Sequence, residues 1–353
     1  MKIAFTGGGT MGPVAPLLAV WEAWKKTDPD VEALWVGTAH GPERTVIEQQ
    51  GIAFLTLPAA RAPRYFSLEW FTSPFVFFVA FYKATRILRL HKPDLVASAG
   101  GYTAVPMVYA AKLLGVNVWV HQQDVEITRT TMATVALADL VTVAWERNRN
   151  ELGDRVKLVG NPVRPSLLMG SRERAYEEFK ISKQKPTILV VGGGTGSAWV
   201  NQTIDSIALE LTQQANVIHV TGRGKGIESR HPDHHIREFV DREMADALAV
   251  ADVIVCRAGL STITELAALS KAAVMIPLPK SPQEANANMV ADASMVLIQR
   301  QTTPSQLLTS VESLLHDEPS RRTLGAKMHG KLRTKIADEL VEMLQSLAYK
   351  EKS

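Results

Sequence analysis

The stretch from Asp252 to Ile276, D-V-I-V-C-R-A-G-L-S-T-I-T-E-L-A-A-L-S-K-A-A-V-M-I, reads as strand, turn, helix and strand in a single pass. Val253 to Val255 is a short β-branched run, a turn carrying Gly259 ends it, and a helix-favouring segment follows with Thr262 and Glu265 at its mouth. Ala273 to Ile276 is apolar again, and strands that alternate with helices in this way belong to a parallel sheet covered on both faces. The helix mouth offers unpaired N–H groups and a positive dipole end, which suit a phosphate or a polyhydroxylated ligand. Thr262-x-x-Glu265 is also the pattern of a capping box, which would satisfy those groups with no ligand present. After Pro277 and Pro279 come Gln283, Asn286 and Asn288, amides that can donate and accept at a ligand's polar edge. Together these residues read as half of a nucleotide-sugar pocket.

The same grammar opens each half of the chain. Lys2 to Phe5 reads as a buried strand that runs into Thr6-Gly7-Gly8-Gly9-Thr10-Met11-Gly12 and then a helix from about Val14. Thr187 to Val191 is a strand, Gly192 to Ser197 a glycine loop, and Ala198 to Leu211 a helix. Glycine has no Cβ, so such loops let backbone N–H groups approach a phosphate or a sugar. The spacing of a dinucleotide fingerprint is met only approximately, and no acidic residue ends the strand Ala33 to Gly37, which argues against NAD. Further strands are expected at Leu95 to Ala99, Val116 to Val120, Leu140 to Ala144 and Val156 to Gly160, and later at Val217 to Val220, Ile236 to Val240 and Val296 to Ile298. A second glycine turn at Gly100-Gly101-Tyr102 and a polar turn at His121-Gln122-Gln123-Asp124-Val125-Glu126 both follow strands, at the edge where open α/β sheets bind ligands. His234-His235 has no metal-ligand spacing and reads as part of a charged loop.

Asn161-Pro162-Val163-Arg164-Pro165 is a stiff turn and marks the linker. The expected fold is α/β, two Rossmann-like parallel-sheet domains facing across a cleft: residues 1–162, residues 163–335, and a C-terminal helix in 336–353 packing back on the first. Hydrophobic residues at 46% and charged residues at 21% fit a folded chain rather than a disordered or membrane-spanning one. A net charge of +3 does not point to nucleic acid. One cysteine, Cys256, excludes an internal disulfide and a multi-cysteine metal site, and the start of the chain lacks a signal-peptide pattern, so a cytoplasmic protein is expected.

Arg61 to Lys92 differs in kind. Its aromatic and aliphatic core, Phe71 to Tyr82, is flanked by Arg61, Arg64, Lys83, Arg86, Arg89 and Lys92, and its purely apolar part is too short to span a bilayer. It reads either as a helix dipping an aromatic face into an anionic membrane surface or as a core helix with a solvated basic face.

In order along the chain, Gly7-Gly8-Gly9-Thr10-x-Gly12, Gly100-Gly101-Tyr102 with Pro106, His121-x-Gln123, Gly160-Asn161-Pro162-Val163-Arg164, Gly192-Gly193 with Asn201-Gln202, Cys256-Arg257-x-Gly259-x-x-Thr262-x-x-Glu265 and Gln283-x-x-Asn286-Ala287 resemble the MurG-type N-acetylglucosaminyltransferases. These are family 28 enzymes of the glycosyltransferase-B superfamily. The resemblance implies an inverting transfer of N-acetylglucosamine from its UDP ester to the C4 hydroxyl of lipid I, giving lipid II for peptidoglycan, with no cofactor and no metal. It implies that Glu265 binds the ribose hydroxyls, Val240 meets uracil through its backbone, and Gln283 with Asn286 reads the sugar. Arg164 and Thr262 would hold the diphosphate, with Gly193, Gly194 and Gly259 lining the donor. Gly8, Gly9, Thr10, Gly12, Gly101, Tyr102, His121 and Gln123 would take the acceptor at the cytoplasmic face of the membrane, where the chain would be peripheral.

The chain departs from the family's pattern mainly on the acceptor side. Pro13 replaces the usual histidine, Met11 a glycine, His121-Gln122-Gln123-Asp124 the usual His-Glu-Gln-Asn, Gly194 a serine and Val105 a glycine. Proline cannot accept a proton, which leaves Asp124 and Glu126 as candidate bases. The alternatives are a related transferase with another lipid-linked or small glycoside acceptor, and a non-catalytic nucleotide-sugar-binding protein.

Overall fold

The computed structural model describes residues 1–58 and 69–349, and of residues 69–74 the backbone alone. Arg61, Arg64 and the side chain of Phe71 therefore lie outside the described residues. The chain divides into two compact units, one formed by Met1–Pro162 with the segment from Ile336 onward, the other by Val163–Lys335.

Unit 1 is built on seven parallel strands: β1 (Lys2–Thr6), β2 (Glu32–Gly37), β3 (Ala53–Thr56), β4 (Leu95–Ser98), β5 (Asn117–Gln122), β6 (Leu140–Val143) and β7 (Lys157–Leu158), in the order β3-β2-β1-β4-β5-β6-β7. All of β4 and β5 is buried, as expected of central strands with helices on both faces. The edge strand β3, Ala-Phe-Leu-Thr, is at most half-buried and is absent from the sequence reading, although Ile52 to Leu55 is an apolar run. The helix Ala337–Tyr349 belongs to this unit: it packs on the helix Ala15–Thr27, buries Leu340 and Leu344, and its Leu347 carbonyl accepts from Asn117 Nδ2 at 3.2 Å.

Unit 2 has six parallel strands: β8 (Thr187–Val191), β9 (Asn216–Val220), β10 (His234–Arg237), β11 (Val253–Cys256), β12 (Ala273–Met275) and β13 (Met295–Val296), in the order β10-β9-β8-β11-β12-β13. Its core joins Ile188 and Val190 of β8 to Val253 and Val255 of β11, Val200 and Ile204 of the following helix, and Leu307, Val311 and Leu314 from the helix Pro304–His316. The helix expected over 198–211 is broken at Ile207 (φ −120, ψ 14) into Ala198–Ser206 and Ala208–Gln214. In each unit the strand order reverses at one place, between β1 and β4 and between β8 and β11. Crossover helices leave opposite faces there, and the strand ends border a crevice.

The expected strand at 236–240 lies earlier, and His234 is a buried strand residue rather than part of a charged loop. Its ring stacks on that of His219, with centroids 5.4 Å apart and planes at 15°. Asn201 Nδ2 donates to the carbonyls of Thr221 (3.0 Å) and Lys225 (3.2 Å), so its Oδ1 accepts from His219 Nε2 at 3.1 Å. His219 Nδ1 is then an acceptor, and His234 Nε2 donates to it at 3.2 Å. Burial above all lowers His219 to about 3 and His234 to about 4. Groups depressed from 6.5 contribute their stability fully above pH 6.5 and lose it as pH falls toward about 4. The urea stability of the wild type should therefore fall more between pH 6.5 and 4 than that of His234→Asn, by on the order of 3 kcal/mol; parallel pH profiles would contradict the neutral pair.

Candidate active site

In unit 2 the loops after β8 and β11 meet at the reversal point. Gly193 takes φ +89 and Gly196 φ +67, and a Cβ on Gly196 would lie 2.0 Å from the carbonyl oxygen of Thr221, so only glycine fits there. Ser197 caps the helix Ala198–Ser206, its hydroxyl accepting from Val200 N at 3.3 Å. The same hydroxyl accepts from Arg257 Nη2 at 2.6 Å, while Arg257 Nη1 donates to the carbonyls of Ile276 (2.9 Å) and Pro277 (3.3 Å). Arg257 is buried, and desolvation lowers its pKa without discharging it. One guanidinium thus ties together the ends of β8, β11 and β12. The sequence motif contains Arg257, but its long-range partners, 19 to 60 residues away, are invisible to spacing.

The helix that follows, Leu260–Leu269, begins one residue after Arg257-Ala258 with Gly259 as its N-cap and no side-chain cap. This corrects the capping-box reading: Thr262 is the third helical residue and Glu265 lies a turn further on, so neither can cap. The first-turn N–H groups are left for another partner, and the buried hydroxyl of Ser261 beside them has none among the described residues. Glu265 is pushed up to about 7, chiefly by burial, against the pull of Arg164. Arg164 Nη1 pairs with Asp241 Oδ1 at 3.1 Å, both side chains nearly buried, and Asp241 Oδ2 has no partner among the described residues. Val240, directly before Asp241, is buried. Gln283 opens the helix Gln283–Met289, its Oε1 accepting from Leu278 N at 3.0 Å. Asn286 is fully buried and donates to the carbonyl of Ala258 at 3.3 Å, so it holds the Arg257-Ala258-Gly259 turn instead of presenting its amide to a ligand.

In unit 1 the loops after β1 and β4 meet in the same way. Gly101 takes φ +91, and a Cβ there would lie 2.7 Å from Gly8 N. A Cβ on Gly9 (φ +86) would lie 2.6 Å from the Tyr102 ring, which packs over the loop and keeps 37% of its surface exposed. Thr10 is exposed, and Gly12 and Pro13 are half-buried at the loop's end. Gln123 faces Gly12 through its Nε2 and is buried, with its Oε1 unpartnered among the described residues. Asp124 is half-buried and Glu126 exposed, and Gln122 Nε2 fixes this turn by donating to their carbonyls at 2.7 and 2.9 Å.

His121 is a correction. Its ring is fully buried, Nε2 bonded to Asn161 Oδ1 and Nδ1 to Thr142 Oγ1, each at 2.8 Å. Trp119 Nε1 donates to Thr142 Oγ1 at 2.8 Å, which leaves the Thr142 hydroxyl to donate to His121 Nδ1. Burial lowers His121 to about 4 and keeps it neutral. It braces the end of unit 1 and has no nitrogen left for a ligand. Glu43, which sequence spacing did not single out, is also fully buried and grips the first glycine loop through Gly9 N.

Models of the glycosyltransferase family 28 N-terminal and C-terminal domains match residues 3–141 and 187–340. A UDP-N-acetylglucosamine--N-acetylmuramyl-(pentapeptide) pyrophosphoryl-undecaprenol N-acetylglucosamine transferase of Clostridium perfringens (strain SM101 / Type A) is 32% identical over 322 residues, 89% of this chain and 90% of the relative. One of the same name, numbered 2, from Bacillus thuringiensis subsp. konkukian is 31% identical over 339 residues, 94% of this chain and 96% of the relative. The crystal structure of Acinetobacter baumannii MurG is similar with a TM-score of 0.69 and 26% identity, covering 98% of this chain and 99% of that one.

Replacing Ser197 by Ala removes both the helix cap and the acceptor for Arg257 Nη2. The expected cost is about 2 kcal/mol in urea unfolding; a loss within 0.5 kcal/mol, the size of an ordinary surface substitution, would show that the guanidinium finds another partner.

Proposed function

The chain belongs to glycosyltransferase family 28 and is a MurG-type transferase of N-acetylglucosamine from UDP to lipid I, and we propose that its two units divide donor and acceptor between them. Unit 2 takes the donor. The observation that carries this is the uncapped mouth of Leu260–Leu269, with unpaired N–H groups beside the Arg164 guanidinium and the Glu265 carboxyl. A helix mouth and an arginine fork stabilise the diphosphate as the glycosidic bond breaks and charge grows on UDP. Thr262 and Gly259 line that mouth, with Gly193 and Gly194 on the neighbouring loop; Glu265 accepts from the ribose diol, and the backbone at Val240 meets the base. Gln283 reads the sugar from the helix that Asn286 anchors. In the free protein Asp241 holds Arg164 in place for this work.

Unit 1 takes the acceptor at the loops of Gly8, Gly9, Thr10, Gly12, Gly101 and Tyr102, with Gln123 supplying an acceptor atom. Asp124 removes the proton from the attacking hydroxyl, in place of the histidine that Pro13 displaces. The helix Glu69–His91 makes the membrane contact. Ala80, Ala84, Ile87 and Leu88 face inward, while Phe75 and Phe78, 72% and 66% exposed, share the outer face with Val79, Tyr82, Lys83, Arg86 and Arg89. That face fits an interfacial helix on an anionic bilayer better than a core helix. No helix among the described residues is long and apolar enough to cross a membrane. The enzyme accordingly works as a peripheral protein at the cytoplasmic face.

Transfer of radiolabelled N-acetylglucosamine to lipid I tests the chemistry. Asp124→Asn should lower kcat at least 100-fold with an unchanged donor KM, and unchanged turnover would remove Asp124 as the base. Glu265 binds a diol best when ionised, so the wild-type donor KM should rise as pH falls through about 7, whereas Glu265→Gln should give a flat, raised profile. For the membrane contact, Phe75→Ser with Phe78→Ser should cut co-sedimentation with anionic vesicles about tenfold at unchanged melting temperature; intact binding would refute it.

A further inference from the structure

The first glycine loop has an uncommon occupant behind it. Glu43 is fully buried, and its carboxylate accepts from Thr38 N (2.9 Å), Thr38 Oγ1 (2.6 Å) and Gly9 N (3.2 Å to each oxygen). No cation pairs with it among the described residues, so its charge is held by N–H and O–H dipoles alone. The glycines around it make room: a Cβ on Gly8 would lie 2.1 Å from its Oε1, and one on Gly41 1.8 Å from its Oε2. Gly9 is therefore clamped, with the carboxylate on its N–H and the Tyr102 ring packed where a Cβ would stand.

Glycine loops after a first strand usually gather N–H groups for a phosphate. Here the Gly9 N–H is already taken by the Glu43 carboxyl oxygens, so it is not free for a phosphate. The opposite wall points to the same ligand chemistry. Gln123 is 5% exposed; its Nε2 side faces Gly12, and its Oε1 has no donor among the described residues. That atom calls for an O–H or an amide N–H, which an ionised phosphate does not carry.

We propose that Glu43 is a positioning residue that makes the first glycine loop a reader of neutral hydroxyl or amide groups, the saccharide of the acceptor rather than its diphosphate. This rests on the reading of unit 1 as the acceptor side. Glu43 itself touches no substrate; it sets Gly9, and through Gly9 the seat of Tyr102.

Glu43→Gln keeps the shape and removes the charge, so it is the deciding variant, and Glu43→Ala removes the grip as well. Steady-state transfer should show the acceptor KM raised about tenfold in Glu43→Gln, with the UDP-N-acetylglucosamine KM within about twofold of wild type. Inorganic pyrophosphate should not compete with the acceptor in the wild type and should begin to do so in Glu43→Gln. Pyrophosphate competing with the acceptor equally in both proteins, or an unchanged acceptor KM, would overturn the proposal. Amide exchange at Gly9 and Thr38 needs no turnover. Slow exchange in the wild type that accelerates at least tenfold in Glu43→Ala supports the clamp even if lipid I is not the acceptor, and equal exchange rejects it. Far-UV circular dichroism and the melting temperature of each variant check that it is folded.

Discussion

Two neighbouring parallel strands whose crossover helices leave on opposite faces send their loops apart and open a crevice at one edge of the sheet, so the first residues of the two loops have to be held together at its floor. This happens between β1 and β4 and again between β8 and β11. In unit 1 the solution is bare backbone, Gly101 against Gly8. In unit 2 it is a buried guanidinium, Arg257, hydrogen-bonded across to Ser197 and onward to Ile276 and Pro277. The chemistry of each half follows from how its crossing is built. Polar backbone gathers at the edge in both cases, but behind the donor loops the fixed charge is positive and behind the first acceptor loop it is negative.

On the proposed reading, that contrast gives the two halves of a similar fold different ligands. The uncapped mouth of Leu260–Leu269 leaves unit 2 with donors that the proposed reading matches to an anionic leaving group. Arg164, paired with Asp241, would add a fork for the diphosphate. In unit 1 the Glu43 carboxylate consumes donors, and Gln123 leaves an acceptor atom waiting. A saccharide satisfies such a surface, and a phosphate does not.

The sequence made the sheets legible because their signals are local: an apolar run, a glycine loop and a helix recur after Lys2 and after Thr187. The glycine loops and the Gly259-x-x-Thr262-x-x-Glu265 stretch could be placed at strand ends for the same reason. Roles within the sites were harder, since residue type does not reveal direction. His121 and Asn286 look like ligand readers in sequence, yet both point inward, His121 onto the Thr142 and Asn161 side chains and Asn286 onto the Ala258 carbonyl. Glu43 and Arg257 exert their effect across 34 and 60 residues, on Gly9 and Ser197, and no spacing rule reaches that far. His234 was misplaced because a polar pair suggests solvent, whereas its partner His219 lies on the adjacent strand.

The central proposal is that the nucleotide belongs to unit 2 alone. Amide hydrogen exchange with and without UDP measures this directly. The account predicts added protection in 192–197, 257–265 and around Arg164 and Asp241, with exchange in 7–12 and 100–103 unchanged. Protection of the unit 1 glycine loops by UDP, with none at the Leu260–Leu269 mouth, would contradict it.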